Sequence, residues 1–87
     1  MSAFHRGGDT TTASSTSSAL DGVGDVLRIY NPSTSDIYAR VGVGPQIATS
    51  SDIVVPAKSV AFVHVEFSDD SIATQGGTAK VMRGSLR

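Results

Sequence analysis

The groups best suited to acid–base chemistry are two imidazoles, His5 and His64, the second with Glu66 two residues on. On a strand that spacing sends both side chains to one face, where the carboxylate could orient the imidazole against a Ser or Thr nucleophile. A solvated or interface His beside a Glu is the commoner arrangement and the one expected for this pair. His5 falls in a segment without regular period, too mobile to orient a partner unless docked. Two His and no Cys are too few ligands for a metal centre.

Gly22-Val23-Gly24 and Gly42-Val43-Gly44 have the outline of phosphate cradles. Neither opens a helical pattern whose N-terminal amides would do the binding, and Pro45 removes a donor, so both read as turns or hinges. Asp69-Asp70 could help hold Ca²⁺, but the pair reads as a solvated turn. Asn31-Pro32-Ser33 is disqualified as a glycosylation sequon by its central Pro. No catalytic, cofactor-binding or metal-ligating residue is assigned, and no enzyme is expected.

Five residues remain as candidates for partner binding. Tyr30, Tyr38 and Arg40 belong to types enriched at interface hot spots and take outward positions on adjacent strands, where they could form one contact patch. The alternative is that each Tyr covers its cross-strand neighbours. Phe4 and Leu20 are the apolar residues of the N-terminal segment large enough to anchor it.

The elements that must position these residues fall into two unlike parts. Residues 1–24 contain the tract TTTASSTSS and show neither helical nor strand period. Such a tract buries too little apolar surface to offset the entropy of ordering its backbone. It is expected to be an extended arm, on the order of 80 Å at full stretch, held by something outside the chain. It should contribute binding and little to the fold of the rest.

Residues 25–87 alternate with period two, the sign of strands with one buried face. Leu27 and Ile29 share one side of VLRIYN; Ile37, Ala39, Val41 and Val43 share one side of the next strand, with Tyr38 and Arg40 opposite. Ala61, Val63, Val65 and Phe67 likewise form an inward row against Val60, Phe62, His64 and Glu66. Pro56-Ala57-Lys58-Ser59 reads as the type I turn of a hairpin between Ile53-Val54-Val55 and the strand from Val60. Short strands at Ser71 to Thr74 and Thr78 to Arg83 complete about six. The expected fold is all-β, a small antiparallel sandwich or barrel with an extended Ser/Thr-rich N-terminal arm.

Composition narrows the partners. Seven Lys and Arg against eight acids give a formal charge of −1 without a basic run, which disfavours nucleic acid. No stretch approaches the roughly 18 apolar residues of a membrane-spanning helix, and MSAFHRGGDT lacks the apolar core of a signal peptide. A body this small, without disulfides, would gain stability from its neighbours.

The stretch LRIYNPSTSDIYARVGVGPQIATSSDIVVPAKSVAFVHV, Leu27 to Val65, resembles small proteins encoded among the virion structural genes of tailed bacteriophages. The shared pattern is an apolar strand ending in Tyr-Asn-Pro, a strand reaching Gly-x-Gly-Pro, and a Pro-Ala turn before another apolar strand. The resemblance implies a capsid decoration or cement protein on the exterior of the virion, bound to the major capsid protein and to copies of itself, a trimer being the assumed form. A head-spike base or host-adhesion module, and a head-to-tail connector or stopper, are the alternatives. The Ser/Thr arm is not part of the resemblance.

Overall fold

The computed structural model describes residues 3–86, so Met1, Ser2 and Arg87 lie outside it. The described residues form nine strands and no helix: β1 (Phe4–Arg6), β2 (Thr11–Ala13), β3 (Ser18–Ala19), β4 (Val26–Tyr30), β5 (Ile37–Gly42), β6 (Ile53–Val55), β7 (Val60–His64), β8 (Ser71–Gln75) and β9 (Ala79–Leu86). They build an all-β sandwich of two antiparallel sheets. The larger runs β7-β4-β9, with β1 and β2 following one another along the far side of β9; the smaller runs β6-β5-β8-β3.

Period-two alternation sets the core. Leu27 and Ile29 of β4, Ile37 and Ala39 of β5, Val55, Ile72 and Val81 are buried between the sheets, and Val41 and Val63 pack against them. Two residues expected in the inward rows are not there: Val43 is exposed and Phe67 is 89 % exposed. Their strands have ended, β5 at Gly42 and β7 at His64, and alternation has no meaning once the backbone turns out of the ladder.

The link 56–59 also differs from its reading. Ser59 N–H donates to Pro56 O at 3.2 Å and Lys58 sits at φ 56°, so a tight turn is present. It joins β6 of the small sheet to β7 of the large one and therefore arches over the core instead of closing a hairpin. The links 31–36, 65–70 and 76–78 cross between sheets in the same way. Alternation reports which side chains point inward and is silent on which strands pair.

The N-terminal segment is extended, as expected, but its neighbours are in its own chain. Phe4 to Arg6 pair with Leu86 to Gly84, Thr11 to Ala13 with Val81 to Ala79, and Ser18 and Ala19 with Ile72 and Ser71. Ala13 is fully buried, Leu20 packs on the core, and Thr74 N–H donates to Ser14 O at 2.8 Å. The Ser/Thr tract supplies little apolar area, yet strand edges give its backbone groups partners that water would otherwise provide. The arm's structural role is to cover the edges of β9 and β8.

Candidate binding surfaces

Two buried polar side chains fasten the loops at opposite ends of the sandwich. At one end, fully buried Asn31 donates through Nδ2 to Ser35 O, Val55 O and Pro56 O at 2.8, 3.0 and 3.2 Å, while its Oδ1 accepts Ser33 N–H at 2.9 Å. It ties the β4–β5 arch to the β6–β7 arch. The local turn bond read from Asn31-Pro32-Ser33 is present, and the longer reach to Val55 and Pro56 is added to it.

At the other end stands Arg83, 5 % exposed. Its Nε donates to Gly24 O at 2.8 Å, one terminal nitrogen to Asp69 O, and the other to Glu66 O at 3.0 Å and Phe67 O at 3.5 Å. Among the described residues its guanidinium meets carbonyls and no carboxylate. A planar fork with five donors can hold diverging carbonyls from two loops at once. Arg83 thereby locks loop 20–25 to loop 65–70. Loop 43–47 joins them through Gly44 N–H donating to Asp70 Oδ1 at 2.9 Å, and Gln46 N–H donating to Ser17 Oγ at 2.9 Å. Arg83 was absent from the sequence candidates, although its place in the row Ala79, Val81, Arg83 marks an inward charge that needs internal partners.

The acids at this end serve the turns. Asp70 accepts Gly44 N–H and Ser71 Oγ, and the Gly44 bond first, then the Ser71 hydroxyl, hold its carboxyl below the ordinary carboxylate range. Asp69 Oδ2 accepts Glu66 N–H at 2.9 Å. His64 Nε2 and Glu66 Oε1 are 4.0 Å apart and both side chains are exposed, the geometry of a surface pair.

The three loops so fixed carry Val23, Val43, Ile47 and Phe67, all exposed, Ile47 at 76 % and Phe67 at 89 %. Four large apolar side chains are thus exposed on hydrogen-bonded loops at one end of the sandwich, residue types that gain from burial against a partner. Sequence reasoning misses these positions because alternation places Val43 and Phe67 in the inward rows.

The five sequence candidates do not converge. Tyr30 lies on the outer face of the large sheet between Val60 and Lys80; Tyr38 lies on the outer face of the small sheet between Val54 and Gln75. The sandwich separates them, because β4 and β5 are consecutive in sequence but belong to different sheets. Both tyrosines are half-buried by these neighbours. Arg40, beside Tyr38, donates through Nε to Asp52 Oδ1 at 3.0 Å. Asp52 also accepts Thr49 N–H, and that bond first, with Arg40 adding to it, lowers its pKa. Phe4 is on the Tyr30 face, its ring lying over Gly84 toward Phe62. Leu20 faces the core.

The fold is a β-sandwich of two antiparallel sheets with four exposed apolar side chains on the loops at one end. Compared with family models, curated proteins and solved structures, the chain matches none.

Proposed function

We propose that this chain is a non-enzymatic virion structural protein that binds the outside of a phage capsid and reinforces contacts between its subunits, alongside copies of itself. The observation that carries the reading is the loop end, where Val23 and Phe67 are exposed on loops pinned by Arg83, and Val43 and Ile47 on a loop held through Asp70 and Ser17. The partner in this reading, the major capsid protein, rests on the resemblance read from the sequence of residues 27–65 alone. A ligand that binds only the assembled lattice stabilises it by mass action against expansion and rupture. Many copies with a rigid apolar contact would act as cement, and the pre-ordered loops would reduce the entropy lost on docking.

The test uses particles with and without the protein. Particles lacking it are expected to assemble but to burst at lower temperature or under milder osmotic shock. Ile47→Ser and Phe67→Ser, both at exposed sites, are expected to fold yet leave the particle on washing. Hundreds of copies per particle fit cement. Tens of copies with a lost host-attachment phenotype would replace this reading by a spike base or adhesin, and about a dozen or fewer by a connector.

A further inference from the structure

The two flanks of the sandwich end differently. On one, the N-terminal segment covers both sheets, β1 and β2 lying along β9 and β3 along β8. On the other, β7 closes the large sheet and β6 the small one, and among the described residues no strand pairs with the outer side of either.

Two backbone bonds show which groups of β7 face outward. Asn31 N–H donates to Ser59 O at 3.0 Å, and Val65 N–H to Asp25 O at 2.8 Å. Bonded positions alternate in an antiparallel ladder, so Ser59, Ala61, Val63 and Val65 turn their backbone groups to β4. Val60, Phe62 and His64 turn theirs to the open edge. Natural edges are usually blunted by Lys, Pro or a bulge, and VAFVH has neither Lys nor Pro. Its Val60 and Phe62 are exposed, as are Ile53 and Val54 of the neighbouring edge strand β6.

We propose that this flank is a self-association surface, with β7 of one copy pairing antiparallel to β7 of a second copy across a two-fold axis at Phe62. The occupant follows from register and charge. With Phe62 opposite its own counterpart, Val60 meets His64 of the second copy and every outward N–H and C=O of both strands gains a partner. Lys58 precedes β7 and Glu66 follows it, both exposed, so the two-fold brings the basic end of each strand to the acidic end of the other. Phe62 already lies 5.9 Å from Phe4 at an interplanar angle of 44°. Pairing gathers both aromatic pairs at the centre of the contact, where hot spots concentrate.

This deepens the self-association part of the reading above and gives a two-fold pair where the sequence led to an assumed trimer. It is tested on isolated protein with no shell present, so its failure and the failure of shell binding are separate results. Sedimentation equilibrium of the full chain over a concentration series is expected to show monomer and dimer in exchange. Phe62→Lys is expected to raise the dissociation constant roughly tenfold or more with β-type circular dichroism unchanged. Phe62→Cys decides independently. The chain has no other Cys, and directly opposed bonded residues about 5.5 Å apart at Cα are within disulfide reach. Mild oxidation should give a covalent dimer with Phe62→Cys and none with Ile47→Cys at the loop end. A parent that stays monomeric or forms a trimer, a dimer unmoved by a folded Phe62→Lys, or failure of Phe62→Cys to cross-link would each overturn the proposal.

Discussion

Arg83 and Asn31 give the two loop ends their order, and each does so with a side chain that donates to several main-chain carbonyls at once. Replacing Arg83 by Lys keeps the charge but removes the fork, leaving carbonyls among those of Gly24, Glu66, Phe67 and Asp69 without a donor. We expect a loss of roughly 2–4 kcal/mol, read from denaturant unfolding; unchanged stability would mean that backbone pairing alone holds the loops. Asp70 adds a pH dependence of definite sign. Its folded pKa lies below the ordinary 3.8, so its contribution is present above that value and is lost as pH falls through the folded pKa. Asp70→Asn should therefore flatten the acid limb of stability between about pH 2 and 5, with Asp52→Asn acting in the same sense through Thr49 and Arg40. An acid limb as steep as the parent's in the double variant would assign that dependence to other carboxylates.

Among the elements, the N-terminal strands carry the largest revision. Removing residues 1–18 takes away β1, β2 and buried Ala13 and bares the outer edges of β9 and β8. The truncated chain is expected to melt earlier and to aggregate, because long exposed edges template pairing with other chains. A soluble truncation with the parent's melting temperature would return the segment to the role of a free arm. Gly84 tests the same contact more gently. A Cβ there would stand 2.1 Å from His5 O, a backbone atom that can yield only if β1 moves off β9. Gly84→Ala should cost about 1–3 kcal/mol and raise amide exchange at residues 4–6 while the core amides stay protected. In the core, Val41→Asp and Val63→Asp should prevent cooperative folding, since both residues pack against the central cluster and an unpaired charge has no partner there.

Over the whole molecule, the topology joins distant parts of the chain. Residues 4–6 pair with 84–86, and most successive strands lie in different sheets. Loop-closure entropy is therefore met before many pairings form, and refolding is expected in milliseconds to seconds, the range of small β-sandwiches. Stopped-flow refolding in microseconds would contradict this dependence on long-range contacts. The finished body has one flank covered by its own N-terminal strands, the other flank open, and an apolar loop end. On the two proposals made above, one molecule would meet a shell at its end and a second copy at its side, and the combination of two contacts slows dissociation when both are geometrically accessible.

The alternation from Val26 onward determined by itself that the chain is all-β, that a strand lies in each of the regions of β4 to β9, though not where each one ends, and that Leu27, Ile29, Ile37 and Ala39 are inward. A period of two arises within a single strand, so it can be read without knowing any neighbour. Which strands pair was decided only in three dimensions. The arch at 56–59 reads in sequence as a hairpin, and Tyr30 as a neighbour of Tyr38, because adjacency in sequence says nothing of which sheet a strand joins. Val43 and Phe67 continue the pattern past the ends of their strands, where the pattern no longer has a pleat to follow. The tract TTTASSTSS was read as needing an outside support, since its composition counts only the area its own side chains can bury. The edges of β9 and β8 supply its backbone with hydrogen-bond partners, and those edges exist only once the sandwich has closed.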